Sequence, residues 1–153
     1  MTIPTGIKIG KAAIRSAEMG VIFVARSAKF SKWASDVGLT KNVFKVGYAA
    51  DNSRSMIENG WAGETDWTLV RQREVGGLTE DELVTRLARK EKMIDPAYYP
   101  RLRGAKGIFK VSPEHVENHV LVSRALAGEH QSALKLKPTD FADYLIQNAL
   151  PRG

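Results

Sequence analysis

The sequence of 153 residues contains no cysteine. Disulfide scaffolds, cysteine-ligated zinc, thiol nucleophiles and dithiol redox motifs are excluded together. Long apolar runs are also missing. The longest strongly apolar stretch is Met19 to Ala25, far short of the roughly 20 residues a membrane helix needs, so no membrane partner is expected. The opening MTIPTGIKIGKAAIRS lacks the ordered basic, apolar and small-residue regions of a secretory signal. The expectation is a soluble, cytoplasmic protein. There is no internal repeat and no low-complexity tract. Neither a Walker nor a dinucleotide glycine loop occurs, and no Gly-x-Ser-x-Gly. Nothing in the sequence points to a small-molecule cofactor.

Acid is scarce in two segments. The chain carries 23 Lys and Arg against 17 Asp and Glu, a net charge of +6. Between Met1 and Lys41 stand Lys8, Lys11, Arg15, Arg26, Lys29, Lys32 and Lys41, opposed only by Glu18 and Asp36. Between Tyr98 and Lys110 stand Arg101, Arg103, Lys106 and Lys110, with no acid. Aromatics are interleaved: Phe23, Phe30 and Trp33 in the first segment, Tyr98, Tyr99 and Phe109 in the second. Basic groups neutralise phosphates and aromatic faces stack on bases. Lys29, Lys32, Trp33, Arg101, Arg103 and Lys106 are therefore the candidate nucleic-acid contacts. DNA is the first partner expected, with RNA second. An acidic protein surface is the alternative.

With 43% apolar and 26% charged residues, the chain reads as one ordinary globular domain. Residues 1–18 form a basic lead-in, helical from Lys11 to Glu18. Gly20–Ala25 reads as a strand buried on both faces. A short helix is expected around Trp33, and a second strand over Val43–Tyr48. Asp51 or Asn52 caps a short helix that stops at Gly60. Trp67–Val75 is a third, more exposed strand. Thr79-Glu-Asp-Glu82 fits a capping box, opening a helix expected to run to about Met93. Gly107–Val111 is a fourth strand. Ser112-Pro113 starts a helix that Gly128 ends. A last helix starts near Thr139 or Asp140, with Phe141, Leu145 and Ala149 on its apolar face. The fold class expected is α+β. It has a small, mainly antiparallel sheet of three to four strands flanked by helices, a core over 19–112 and a C-terminal helical extension over 113–153.

Several of these pieces in order carry a resemblance. Gly20-Val-Ile-Phe-Val, then Phe44-Lys-Val-Gly-Tyr48, then Arg54 on a short helix, then an acid opening a later helix, is similar to the GIY-YIG nuclease superfamily. It is closest to a phage and bacterial branch with Lys-Ile-Gly in the second motif. The resemblance covers roughly residues 19–112. It implies a small antiparallel sheet flanked by helices and cleavage of DNA phosphodiesters with one divalent metal, here Mg²⁺. Arg54 would take the role of the phosphate-stabilising arginine, for which a guanidinium offers fixed bidentate donors. A glutamate on a helix would hold the metal. On a helix of 100° per residue, Glu80 falls inside the stripe of Leu83, Val84, Leu87 and Ile94, whereas Glu82 falls outside it and is explained by the capping box. Glu80 is therefore the metal candidate, since a single hard carboxylate can anchor Mg²⁺. The chain departs from the family at Phe23, which stands where the catalytic tyrosine would be and cannot exchange a proton. Lys45 occupies the tyrosine position of the second motif. Tyr48 could replace the lost hydroxyl only if the strand bends after Gly47.

Two further constellations have bland readings. His115 and His119 are spaced as zinc ligands can be, but more often mark a packed helix face. Arg86, Arg89 and Lys90 more often line a solvated face than a phosphate site. The function expected is a nucleic-acid-binding GIY-YIG-like domain acting as a metal-dependent endonuclease, with Arg54, Lys45 and Tyr48 as its catalytic residues. The alternative is a catalytically inactive, phage-type accessory or inhibitor protein that binds a protein partner.

Overall fold

The inner residues of Met19–Arg26 (β1) are all buried, because this strand lies inside the sheet with helices on both faces. The structure, a computed structural model, describes residues 19–129 and 135–151. The basic lead-in, with the helix expected over Lys11–Glu18, lies outside the described residues. In chain order the further elements are α1 (Ala28–Asp36), β2 (Val43–Ala49), α2 (Arg54–Asn59), β3 (Thr68–Gly76), α3 (Glu80–Ala88) and β4 (Lys92–Met93). A 3₁₀ turn at Pro100–Leu102, β5 (Ile108–Lys110), α4 (Pro113–Leu126) and α5 (Pro138–Ala149) follow. The fold is α+β, as the sequence implies. The sheet is antiparallel throughout, in the order β3-β1-β2-β5-β4.

Alternation along β1 and β2 divides the core in two. Ile22, Val24, Phe44 and Val46 face α3, α4 and α5, together with Leu83, Leu87, Val116 and Leu145. Val21, Phe23, Ala25 and Val43 face the other way, against Phe30, Ile57, Trp67 and Leu102. The expected stripe of α5 packs into the first cluster, with Phe141 stacked on Phe44 at 5.2 Å between ring centroids. The residues after 112 thus complete the core of the sheet.

Capping fixes the start of α3. The Thr79 hydroxyl accepts the Glu82 N–H at 3.2 Å, and the Glu82 carboxylate accepts the Thr79 N–H at 2.9 Å. The other end corrects the sequence expectation, since α3 stops at Ala88 rather than near Met93. Glu91 is the reason. Its buried carboxylate is anchored to α4 and α5, which turns the chain and frees Lys92–Met93 to pair with β5 as a fifth strand. Ile94 then leaves the α3 stripe and fills the other cluster.

Candidate functional site

Both glycines of the paired motifs are required by aromatic rings. Gly47 lies opposite Phe23 in the β1–β2 register. A Cβ at Gly47 would come within 2.6 Å of the Phe23 ring. On the opposite face, the Tyr48 ring lies across Gly20, where a Cβ would meet it at 2.7 Å. These diagonal and direct cross-strand contacts are the unit of sheet packing.

Phe23, Lys45 and Gly47 share one face of the sheet. Phe23 is fully buried and stacks on Trp61, with centroids 5.8 Å apart and planes 22° from parallel. Lys45 is only 3% exposed. Its Nζ donates to the Lys106 carbonyl at 2.6 Å and sits 5.4 Å from the centroid of the Trp61 ring. Burial holds the Lys45 ammonium below the ordinary lysine pKa, and the negative charge of Glu80 partly opposes this. Gly107 makes the close approach possible. With φ at +80° it adopts a left-handed conformation, and a Cβ there would lie 3.0 Å from Lys45 Nζ.

Glu80 arrives from the other layer, past the end of β5. The Val46 N–H is satisfied by the Gly107 carbonyl at 2.8 Å. Two residues on, past the β2–β5 pairing, the outward Tyr48 N–H donates to Glu80 Oε1 at 3.3 Å. The first residue of α3 thereby carries its carboxylate to the rim of Gly47 and within electrostatic reach of Lys45. The helical stripe in the sequence anticipated this direction.

Arg54 opens α2 on the same face, exposed to solvent. It lines a cavity of about 600 Å³ with Ser53, Leu69 and Gln72. Buried Ser53 donates to Gln72 Oε1 at 2.8 Å, and Gln72 is the β3 partner of Phe23. Gln72, Phe23 and Gly47 therefore form a row across three strands. Arg54 lies at one margin and Glu80 at the other, with two strand spacings, roughly 10 Å, between Gln72 and Gly47.

Tyr48 does not join this group. β2 continues unbroken to Ala49, so its side chain projects to the opposite face. Its hydroxyl donates to the Val75 carbonyl at 2.6 Å. The bend after Gly47 on which Tyr48 would depend to supply the missing hydroxyl is therefore not present, and alternation along the strand places its side chain as the sequence implies.

The two basic segments meet through Trp33, which packs on Phe30 and sets its edge against Tyr99 at 5.9 Å. Lys29, Lys32, Arg103 and Lys106 are exposed. Lys32 pairs with Asp36 at 3.5 Å, and Lys106 offers its carbonyl to Lys45. Arg101 has a different role. It donates to the Ala62 carbonyl and to Glu64, and its guanidinium lies 5.5 Å from the Phe30 centroid and 5.6 Å from that of Trp33. Arg101 thus clamps the 61–64 loop that carries Trp61, its guanidinium partly exposed and engaged by Glu64 and the Ala62 carbonyl. Arg101→Ala is expected to cost about 1–2 kcal/mol, from lost charge-assisted hydrogen bonds, and to make Trp61 fluorescence more accessible to an ionic quencher. Unchanged quenching would remove the clamp.

Trp61, Ser53, Gln72 and Gly107 were not legible as site residues. Glycine at the start of an expected strand is the one available signal, and by sequence Gly107 reads only as a strand start. Among the described residues no group of three or more His, Asp or Glu could hold a metal. Glu80 fits the more modest role of one hard carboxylate for a largely hydrated cation. No helix among the described residues is long and apolar enough to cross a membrane. No family model, no curated protein and no solved structure matches the chain.

Proposed function

We propose that this chain is a nucleic-acid-binding domain of GIY-YIG-like architecture that hydrolyses DNA phosphodiesters with one divalent cation. The observation that supports this is the convergence of Glu80 on Gly47 beside the buried amine of Lys45, on the face that also presents Arg54. Glu80 would hold Mg²⁺, which when bound supplies positive charge to the phosphate and lowers the pKa of coordinated water. Arg54 binds the scissile phosphate with its fixed fork of donors. Phe23 can move no proton, and the Tyr48 hydroxyl faces away. Lys45 is thus the side chain left to exchange a proton with the attacking water, a role that a lowered amine pKa suits. Lys29, Lys32, Arg103 and Lys106 steer the backbone.

One observation favours a second reading, in which the domain binds without cutting. Phe23 and Trp61 stack directly beside Lys45 and leave it almost no exposed surface. That suits the accessory or inhibitor alternative.

Supercoiled plasmid with Mg²⁺ or Mn²⁺, at low and high salt, decides between them. The parent is expected to nick, and Glu80→Gln to retain salt-sensitive DNA retardation while losing metal-stimulated nicking. Affinity should fall steeply with log salt, as counterion release requires. Retardation without nicking by the parent would leave a DNA-binding module that does not cut, and neither nicking nor retardation would favour the protein-partner alternative. A Glu80→Gln protein that nicks like the parent would free Glu80 from the metal role.

A further inference from the structure

We infer that the opposite layer carries a second anion site, a phosphate-binding cavity formed where α3, α4 and α5 meet. It is independent of Lys45, Glu80 and Arg54. Arg89 and Lys90 follow the last residue of α3, His115, Asn118 and His119 come from α4, and Asn148 from α5. Together they line a cavity of about 500 Å³. Arg89, Lys90 and Asn148 also line an adjoining cavity of about 690 Å³. Among the described residues no acidic residue lines either one.

Solvation of a helix end explains two cations there, because the negative end of the α3 dipole favours them. It does not explain the rest of the wall. Arg86, one turn earlier, is already used: it donates to the Ala149 carbonyl at 3.2 Å and lies 3.9 Å from Glu82. Arg89 and Lys90 have no acidic partner among the described residues. Facing them are two imidazoles whose rings are held. His115 Nδ1 lies 2.6 Å from buried Glu91 Oε2. A ring fixed through one nitrogen presents the other on its far edge. His119, one turn along, sets its ring edge-on to Tyr144 at 5.6 Å. Glu91 itself is spent on Ser112, His115 and Tyr144. It therefore anchors the wall from behind without lining the cavity.

Two cations and two carboxamides converge from three helices on one concavity, the Asn148 amide also donating to the Tyr144 carbonyl at 2.8 Å. With two oriented imidazoles, which donate outward in their protonated form, they match a tetrahedral oxyanion with several acceptor oxygens. Phosphate is the shared chemistry. Its source is a nucleic-acid backbone or a small phosphorylated molecule, and the experiment separates the two.

The full chain is titrated with inorganic phosphate while its histidine ring protons are followed by NMR, against chloride at matched ionic strength. The His115 and His119 signals are expected to move saturably with phosphate and not with chloride. In Arg89→Ala/Lys90→Ala the apparent affinity should fall at least about tenfold, as loss of charge-assisted contacts implies. Asn118→Asp, a change at an exposed position, should weaken binding in the same direction by placing a like charge in the cavity. A short DNA duplex is the second probe. If it moves the same signals, and Arg89→Ala/Lys90→Ala weakens it, the backbone is the source. If phosphate moves them and duplex does not, the source is a small phosphorylated ligand. Phosphate shifts no larger than those with chloride, or equal affinity in the variants, would overturn the proposal. Lys45 and Glu80 are untouched in every arm, so failure here leaves the cleavage reading intact, and the reverse also holds.

Discussion

Glu91→Ala is expected to lower the melting temperature by about 5–15 °C. The Glu91 carboxylate is buried and accepts from three donors: the Ser112 N–H at 2.8 Å, the Tyr144 hydroxyl at 2.5 Å and His115. Alanine leaves the Tyr144 hydroxyl and the Ser112 N–H without partners in the interior. Each such group costs about 1–3 kcal/mol, and in a chain of this length 1 kcal/mol moves the midpoint by about 2–4 °C. Glu91→Gln keeps the volume and one acceptor oxygen, so it should fall between the parent and alanine. Thermal melts of the three proteins test this, and an alanine variant melting within about 2 °C of the parent would show the junction to be dispensable.

The same junction sets an alkaline limit. Burial, and then the hydrogen bond to Glu91 and its negative charge, push the Tyr144 hydroxyl well above the ordinary tyrosine pKa. The folded-state value therefore exceeds the unfolded one. Its contribution to stability is complete below the unfolded value of about 10 and is lost as pH rises from there toward the folded value. Melts between pH 8 and pH 11.5 should show the parent declining above about pH 10 more steeply than Tyr144→Phe. Parallel curves would remove Tyr144 as the cause.

Glu91 also marks the point where the sequence stopped being legible. Helix period, the capping box at Thr79 and the apolar run of β1 are local signals, and they located α3 and β1 from the chain alone. The stop of α3 at Ala88 is not local: it depends on a carboxylate meeting Ser112, His115 and Tyr144, residues 21 to 53 positions away. Ile94 illustrates the resulting error. It continues the α3 stripe by spacing yet packs in the other half of the core. In the candidate site, Glu80 could be chosen over Glu82 because the capping box uses one acid and leaves the other directed inward. The Tyr48 side chain could be assigned to the far face, since strand alternation depends only on neighbours. Trp61 could not be found. It reaches Phe23 and Lys45 from a loop without periodicity, held there by Arg101 from a distant 3₁₀ turn. Arg101 itself, a cation by sequence, is held by Glu64 and the Ala62 carbonyl against Phe30 and Trp33. Charge in a sequence does not say whether an aromatic or a phosphate receives it.

Lys45→Met is expected to separate chemistry from stability. In the parent the ammonium is almost sealed between Trp61 and the Lys106 carbonyl, and desolvation is the main reason its pKa is lowered. Below the folded pKa the buried charge works against the fold. Between that value and the ordinary lysine value the unfolded chain binds more protons, so this group makes stability rise with pH. Methionine keeps the unbranched stem against Trp61 and removes the charge. It also leaves the Lys106 carbonyl without its donor, and the two effects oppose each other, so stability should stay within about 1 kcal/mol of the parent. The rise of stability with pH toward 10.5 should be absent in the variant. Nicking should fall by about 10²–10⁴, the loss typical of a missing proton-transfer group. DNA retardation should change little, because a side chain buried behind Trp61 contacts no backbone phosphate. A variant that nicks at the parent rate would exclude Lys45 from proton transfer. One that melts far below the parent would make the amine a structural group. A protein that loses nicking alone, on a fold no weaker than before, would place the reaction at the amine between Glu80 and Trp61.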